Sequence, residues 1–542
     1  MSGKMNQPKS RPNILFFITD QLRADHLGCY GNRTIRTPAI DSIAKRGATF
    51  DRFYVASPVC QPNRATLATG RMPSLHGVRT NGISLSLAAN TFIELLRING
   101  WRTALIGKSH LQNFGGLPPA LRRPEPPAGY VVPPTGFDEA EKEDRGDPIY
   151  DQENAKTFAA NPNHDLRRPY YGFEHVELCS NHAVRVHGHY TQWLRERQPD
   201  ADSLRGPENG LPHDYVLPQA WRTRLPEELY PTSYVVERTI AWLEDHARRK
   251  EGKPFFVQCS FPDPHHPFTP PGRYWDMYKP DDIELPATFH IGNHPQPPHV
   301  AALHAARDNG TRVADAQPAF AVNERETREA IALTYGMIAM IDDGVAKVLK
   351  RLDELGLTKD TVVVFTSDHG DLMGDHQLML KGAFAYQGLI RVPFIWAEPD
   401  NANAGVRTDA LFGTLDIAAT MLDRARIAPY NGIQGRSALP AMNGSAAEPG
   451  HDGILIEYGS QRGLMNIAGE MTMRTLVDRR WRITYYRGMP WGEFYDLESD
   501  PLEMHNLWDD PAAAKTKAEL TERLLRKMLD LAERSPLPTR SA

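Results

Sequence analysis

Cysteine is scarce in this chain. The four in 542 residues, Cys29, Cys60, Cys179 and Cys259, stand far apart, which excludes a disulfide framework and leaves no CxxC pair for a metal centre. Long hydrophobic runs are missing too, and no stretch reaches the roughly 20 apolar residues of a bilayer-spanning helix. The opening stretch, Met1 to Arg11, is polar and lacks the apolar region of a secretory signal. A cytoplasmic location with no membrane partner is therefore expected. Charge of one sign is not in excess either: the formal net charge is −5 with both signs spread along the chain. No basic stripe suggests a nucleic-acid partner. Internal repeats are absent. With 41% hydrophobic and 24% charged residues, the composition is that of a soluble globular enzyme, and the length exceeds one ordinary core, predicting two structural units.

The pattern along the chain predicts an α/β fold. Asn13 to Thr19 is a short continuous apolar run, as expected of a strand buried on both faces inside a parallel sheet, and it stops at Asp20-Gln21. A helix opens at Thr37-Pro38 and ends at Gly47. Thr49 to Val55 reads as a second strand, and a helix begins near Asn63. A helix capped by Asn90-Thr91 leads to a strand over Arg102–Ile106, which delivers Lys108 and His110. Residues 113–230 break the rhythm with Pro-, Arg- and Gly-rich clusters such as Leu117-Pro118-Pro119 and Arg123-Pro124-Glu125-Pro126-Pro127, and read as a long excursion around a site rim. After a helix from Pro231 to about Arg248, Pro254 to Ser260 is a strand that ends in Asp263-Pro264-His265-His266-Pro267. A second irregular stretch spans about 270–322. A long helix over Glu326–Leu355 precedes the β-branched strand Thr361–Phe365, which ends in Asp368-His369-Gly370. This alternation predicts a doubly wound, mostly parallel sheet flanked by helices. The Pro-, Gly- and Ala-rich stretch from Pro440 to Gly450 marks a boundary, giving units over 1–445 and 446–542. The second reads as a smaller antiparallel α+β unit with strands over Ile454–Tyr458, Met471–Val477 and Trp481–Tyr486 and a helix over Ala512–Glu533.

Two carboxyl–amide or carboxyl–imidazole pairs, Asp20-Gln21 and Asp368-His369, thus follow strands of one sheet. An Asp at a strand end is usually a cap or turn residue, but open α/β sheets bind ligands outside the carboxyl ends of their strands. Between the pairs in sequence lies Cys60-Gln61-Pro62-Asn63-Arg64, running on to Thr69-Gly70. A lone Cys is usually a small buried hydrophobe. All five fixed positions match by chance in roughly one chain in ten thousand of this length.

This segment resembles the CxPxRxxxxTG signature of the sulfatase family, whose fold is alkaline-phosphatase-like. The resemblance covers most of the chain, including a tail pattern here written Phe494-Tyr495-Asp496-Leu497, Asp500-Pro501, Glu503 and Asn506-Leu507. It implies that Cys60 is oxidised by a formylglycine-generating enzyme to formylglycine, the nucleophile. It also implies that Asp20, Gln21, Asp368, His369 and residue 60 hold one divalent metal ion. Two carboxylates and an amide suit Ca²⁺, whereas an imidazole pulls toward Mn²⁺, and both stay open. By the same resemblance Lys108, His110, His265, Lys381 and Asn81 surround the transferred group, with His266 an alternative to His265, and Arg64 fixes the hydrated aldehyde.

The implied chemistry is hydrolysis of a sulfate monoester through a covalent ester on residue 60. His265 or Lys381 gives the leaving alcohol its proton and His110 removes the proton that releases the product. The Asp-Gln and Asp-His pairs are similar to those of bacterial phosphonate monoester hydrolases and related cytosolic arylsulfatases. Because those phosphonate enzymes tend to lack the Lys-x-His pair kept here, an arylsulfatase is expected. Phosphonate monoester or phosphodiester hydrolysis is the alternative, and a non-catalytic binding protein the remote one. A phosphatase or phosphomutase relative would use Ser or Thr at position 60. The expected partners are a small sulfate or phosphonate ester and further copies of the chain, as a dimer or tetramer.

Overall fold

The Asn13–Thr19 strand is buried along its whole length because both of its edges and both of its faces are covered. In a computed structural model, which describes residues 11–115, 118–121, 127–134, 137–161, 163–314, 317–443, 450–461 and 471–541, it lies at the middle of a nine-stranded sheet. Most of the polar N-terminal stretch, the Leu117 and Arg123–Pro126 positions of the Pro-rich clusters, and 444–449 of the expected boundary lie outside the described residues. The strand order is Val406–Thr408, Ala48–Phe50, Phe394–Ala397, Thr361–Ser367, Asn13–Thr19, Phe255–Ser260, Arg102–Gly107, His175–Ser180 and His187–Gly188. The five strands from Thr361–Ser367 to His175–Ser180 run parallel, and antiparallel neighbours flank them.

Alternate side chains of the first strand enter different cores. Leu15 and Phe17 join one apolar layer with the helices Pro38–Arg46, Pro231–Arg249 and Glu324–Glu354. Ile14, Phe16 and Ile18 join the other with Cys60–Thr69, Phe92–Ile98 and Ile417–Arg424. A strand sandwiched this way has no polar face, which is why its sequence is apolar throughout and not alternating.

Several boundaries differ from the sequence reading. The stretch 49–55 is not one strand: Ala48–Phe50 stays in the main sheet, whereas Phe53–Tyr54 pairs with Phe412–Gly413. Between them the Asp51 carboxylate accepts from the Arg407 guanidinium, with Nε 3.0 Å from Oδ2. The long helix begins two residues early, at Glu324, because Asn323 caps it. The Asn323 side chain accepts from Glu326 N, and the Glu326 carboxylate accepts from Asn323 N, both at 2.9 Å. The excursion over 113–230 is not only rim: it adds the strands His175–Ser180 and His187–Gly188 to the sheet and carries the helix His189–Arg197. The stretch 270–322 likewise contains a helix, Pro298–Asp308.

The C-terminal sheet has four antiparallel strands, Ile454–Gly459, Thr472–Val477, Trp481–Tyr486 and Gly492–Asp496. The helix Ala514–Asp530 packs Leu520 and Leu524 onto Ile483 and Phe494. The fourth strand is unexpected from sequence because it opens on Gly492, a weak strand former. Glycine is needed there because a Cβ would strike the Trp508 ring. Arg482, wholly buried, pairs with Glu493 at 3.0 Å and with Glu503, between the rings of Tyr386 and Tyr495. Glu503 also accepts from Gln387 N at 3.0 Å, which ties this sheet to the segment that carries Lys381.

Candidate active site

Register fixes the centre of the site. Thr19 pairs with Ser367 on adjacent parallel strands, so Asp20 and Asp368 leave the sheet side by side. Gln21 turns back at once with φ 66°, a left-handed conformation that costs a non-glycine residue on the order of 1 kcal/mol or more. Its N–H then donates to Asp368 Oδ1 at 3.1 Å. Gly370, next to His369, lies against the backbone of Gly388, and a Cβ there would overlap the Gly388 oxygen.

Cys60 is the first residue of the helix Cys60–Thr69. Pro62 is tolerated because the N–H groups of a first turn have no helical partner. Gln61 N, one of those groups, donates to Asn81 Oδ1 at 3.1 Å. Asn81 therefore holds the motif in place while also lining the pocket. Gly70 ends the helix in the left-handed conformation, φ 62°. Asn63 Oδ1 accepts from Ala56 N, Ser57 N and Thr414 Oγ1 at 3.1, 3.3 and 2.7 Å, locking the loop ahead of Cys60.

The structure brings the expected residues together. Cys60 Sγ lies 3.7 Å from Asp20 Oδ1, 3.1 Å from His369 Nε2 and 3.0 Å from Lys381 Nζ. Lys381 Nζ also stands 2.8 Å from Gln21 Oε1 and 2.8 Å from His265 Nε2. Lys108 pairs with Asp20 Oδ2. Arg64 donates from Nε to Asp368 Oδ2 at 2.7 Å and from NH1 to Ser260 Oγ at 3.1 Å and Lys108 O at 3.2 Å. Its NH2 sits 3.6 Å from Asp20 Oδ2. Its guanidinium thus braces the two carboxylates. His110 (φ 59°) is anchored by its N–H on Glu153 Oε2 at 2.8 Å, and its Nδ1 has no partner.

Asp20, Asp368 and His369 are fully buried, so their charges act in a medium of low dielectric. Burial raises the Asp20 pKa, but Lys108, His182, Arg64 and Lys381 outweigh it and hold the carboxyl well below its ordinary range. Burial and Asp20 likewise push the Cys60 thiol up, yet Lys381, His369 and Lys108 bring it below the usual cysteine value. Position 60 is therefore built for an anion, and the helix N-terminus adds to that.

The donor set fits a divalent cation. Carboxylate oxygens of Asp20 and Asp368, Cys60 Sγ and a His369 nitrogen lie within 4.8 Å of one another, a separation that one ion bridges with bonds of about 2.0–2.6 Å. The groups behind the ligands agree. His369 Nδ1 faces Gly370 O at 2.8 Å, which leaves Nε2 free to ligate. The Gln21 amide donates to Asp371, so its oxygen turns inward.

Sequence reasoning missed two contributors, Asp371 and His182, and offered His266 only as an alternative to His265. Asp371, which orients Gln21 and accepts from Met373 N and Leu380 N at 2.7 and 3.0 Å, stood in plain view after Asp368-His369-Gly370. His266 supports the centre, with Nδ1 3.3 Å from Gln21 Nε2, while His265 faces Lys381. His182, from the excursion, stacks on His265 with ring centroids 3.5 Å apart. Above these groups opens a cavity of about 440 Å³, walled by Phe114, Pro118, Pro318, Tyr458 and Met471 and by the amides Gln61 and Asn113.

Two family descriptions match this chain: "Sulfatase" over residues 12–427 and "N-sulphoglucosamine sulphohydrolase, C-terminal" over 374–530. An arylsulfatase of Clostridium perfringens is 29% identical, covering 92% of this chain and 90% of its own length. A choline-sulfatase of Rhizobium meliloti is 27% identical over 94% of this chain and 85% of its own. The crystal structure of a phosphonate monoester hydrolase of Agrobacterium radiobacter superposes with a TM-score of 0.75 at 24% identity, covering 97% of each chain, and so shares the fold. With the signature on a helix N-terminus, the paired carboxylates on adjacent strands and a family match across most of its length, this chain belongs to the sulfatase family of the alkaline phosphatase superfamily.

Proposed function

We propose that the protein hydrolyses sulfate monoesters of aryl alcohols, with residue 60 as nucleophile after its conversion to formylglycine. One observation carries this reading: Lys381 touches Cys60 while Lys108 and Arg64 pair with the adjacent Asp20, all buried among the candidate metal ligands, beside an apolar-walled cavity that Lys381 and His110 line. Asp20, Gln21, Asp368 and His369 would hold the divalent ion. When bound, such an ion supplies Lewis-acid stabilisation of negative charge. Formylglycine supplies, in its hydrated form, two hydroxyls on one carbon, one to be esterified and one to expel the ester.

The chain's own groups do the rest. Lys108 and Lys381 place fixed positive charge against the sulfuryl oxygens, where charge must be neutralised before an anionic nucleophile can approach. Lys381 Nζ and His265 Nε2, in contact at 2.8 Å, hold the proton that the leaving alcohol needs. The unpartnered Nδ1 of His110 is free to take the proton that releases the product. Burial first, then Lys108 and Arg64, hold the His110 pKa well below its ordinary value, which keeps the ring neutral. Phe114, Tyr458 and Met471 offer flat apolar surface to an aryl group, and the arylsulfatase relative supports that choice of leaving group.

The same reading includes a formylglycine-generating enzyme as maturation partner, Ca²⁺ or Mn²⁺ as the ion, assembly as a dimer or tetramer, and units over 1–445 and 446–542. A cytoplasmic location is part of it, supported by four unpaired cysteines. Among the described residues no helix is long and apolar enough to cross a membrane. Two measurements test the proposal. The peptide containing residue 60 should be lighter than its cysteine form by about 18 Da, oxygen replacing sulfur with loss of two hydrogens. Steady-state rates should favour 4-nitrophenyl sulfate over 4-nitrophenyl phenylphosphonate. A higher kcat/KM on the phosphonate would replace this reading with phosphonate monoester hydrolysis.

A further inference from the structure

We propose that the leaving alcohol is an uncharged body of two or three fused rings, seated against Phe114 of the excursion and Tyr458 and Met471 of the C-terminal unit. The inference rests on the sulfate-ester reading and narrows it to a substrate class. Size comes first. An engineered apolar cavity of about 150 Å³ holds one benzene, and the cavity beside the centre measures about 440 Å³, close to three times as much. Fused rings share carbons, so roughly two or three of them fit beside a sulfuryl group. A single phenyl ring would leave much of the wall without partner atoms and forfeit those contacts. Phe114 ties this wall to the chemistry. Its ring centroid lies 4.3 Å from that of His110 and 5.4 Å from that of His182, and Lys108 Nζ is 5.6 Å from it. The apolar wall therefore begins against Lys108 and His110, so a ring bonded to the ester oxygen meets Phe114 first. Tyr458, on the strand Ile454–Gly459, and Met471, just before the strand Thr472–Val477, extend the wall from the C-terminal sheet.

The polar groups of the wall settle what kind of alcohol fits. Among the described residues the wall carries no carboxylate and no guanidinium. Its one ammonium, Lys381, already stands 2.8 Å from both Gln21 Oε1 and His265 Nε2. A cationic alcohol thus meets no counter-charge, and a polyanionic one meets no second cation. The amides Gln61, Asn113 and Gln461 also line the cavity, but they are engaged within the protein. Gln61 Nε2 donates to Asn113 Oδ1 at 3.2 Å, and Gln61 Oε1 accepts from Gly82 N at 2.7 Å. Asn113 Nδ2 donates to Gly82 O at 3.1 Å. Gln461 donates to Asn81 O and accepts from Ala120 N at 3.2 Å. The Tyr458 hydroxyl is hydrogen-bonded by Ser460. A sugar would have to break these bonds or bury its own hydroxyls unpaired, and each unpaired hydroxyl costs its desolvation. A hydrocarbon ring carries no such cost and covers the apolar surface between the amides.

The test compares phenyl sulfate with 2-naphthyl sulfate, whose parent alcohols are of similar acidity, so that a difference reports the second ring and not the leaving group. Values of kcat/KM are measured on full-length, metal-loaded wild type, Phe114→Ala and Phe114→Leu. Binding of both esters is measured calorimetrically on metal-loaded Cys60→Ala, which cannot turn them over. Burial of the second ring predicts kcat/KM and affinity higher by roughly 10–100-fold for the naphthyl ester. Phe114→Ala should bring the kcat/KM ratio toward one, and Phe114→Leu, which keeps apolar volume, should retain part of it. Choline sulfate and glucose 6-sulfate should be poorer than either aryl ester. Equal kcat/KM for one ring and two would overturn the proposal, as would a ratio unmoved by Phe114→Ala. A higher kcat/KM for choline sulfate or glucose 6-sulfate than for the naphthyl ester would overturn it as well. If Phe114→Ala does not fold, the wild-type ratio and Phe114→Leu decide. A wild type that hydrolyses no ester would remove the functional reading and leave the binding ratio on Cys60→Ala to judge the cavity.

Discussion

Replacing Arg64 by alanine should expose the electrostatic design of the centre. The guanidinium is 3% exposed and both of its partners are fully buried. It donates to Asp368 at 2.7 Å, reaches within 3.6 Å of Asp20 and binds Ser260 and the Lys108 carbonyl. Without it two neighbouring buried carboxylates face each other with Lys108 as their remaining close cation. Breaking a buried pair of this kind costs about 3–5 kcal/mol, and we expect that loss for the metal-free variant. A divalent ion binding between Asp20 and Asp368 supplies the missing charge, so the variant should gain more from metal than the wild type does. Binding at 100 times Kd stabilises by about 2.7 kcal/mol, and a tenfold tighter site adds about 1.4 kcal/mol. The assay is urea unfolding followed by tryptophan fluorescence, once with chelator and once with saturating Ca²⁺ or Mn²⁺. The gap between wild type and Arg64→Ala should narrow on adding metal, with Arg64→Lys in between. An equal or wider gap with metal, or no loss in chelator, would refute the reasoning.

Cys60→Ser cannot supply two hydroxyls on one carbon, so it should stop after one covalent event or turn over at least about 10³-fold more slowly; intact-mass analysis after exposure to substrate checks this. Gly370→Ala drives a methyl into the Gly388 backbone and should displace His369, lowering bound metal by elemental analysis even where the protein folds. Asp263 is buried, and despite bonds from Thr232 and Tyr230 its pKa is raised to about 7. The native state thus keeps a proton that an unfolded carboxyl, near 3.9, has already lost. Its contribution to stability therefore falls as pH rises from about 4 to about 7, and denaturation of Asp263→Asn should show a flatter profile across that window. Equal slopes for the two proteins would remove Asp263 as the cause.

Much of the centre was legible because strands that carry ligands are the plainest signals a chain offers. Asn13–Thr19 and Thr361–Ser367 are largely apolar runs that end abruptly in Asp20-Gln21 and Asp368-His369, and sheet geometry then dictates that such ends share an edge. His182 was hidden for the opposite reason. It lies in an irregular excursion near His187 and His189, with no periodicity to choose among the three, and is singled out only by the fold that stacks it on His265. Arg64 shows a subtler limit. Its place one turn after Cys60 suggested a partner on residue 60, and the fold adds what spacing does not show: Nε is held on Asp368 while NH2 has no hydrogen-bond partner. The division of 49–55 and the fourth C-terminal strand escaped notice because the groups that define them, the Phe412–Gly413 strand and the Trp508 ring, are distant in sequence.

The position of the first strand also has a consequence in time. Its two hydrogen-bonded neighbours are Phe255–Ser260 and Thr361–Ser367, so the middle of the sheet cannot close until the ribosome has made most of the chain. At roughly 5–20 residues per second, hundreds of residues take on the order of ten seconds or more to emerge. Throughout that delay the segment around Cys60 has no finished sheet to dock on, whereas afterwards Cys60 is 1% exposed. A macromolecule that alters this side chain must reach it while translation is still under way or before the sheet closes.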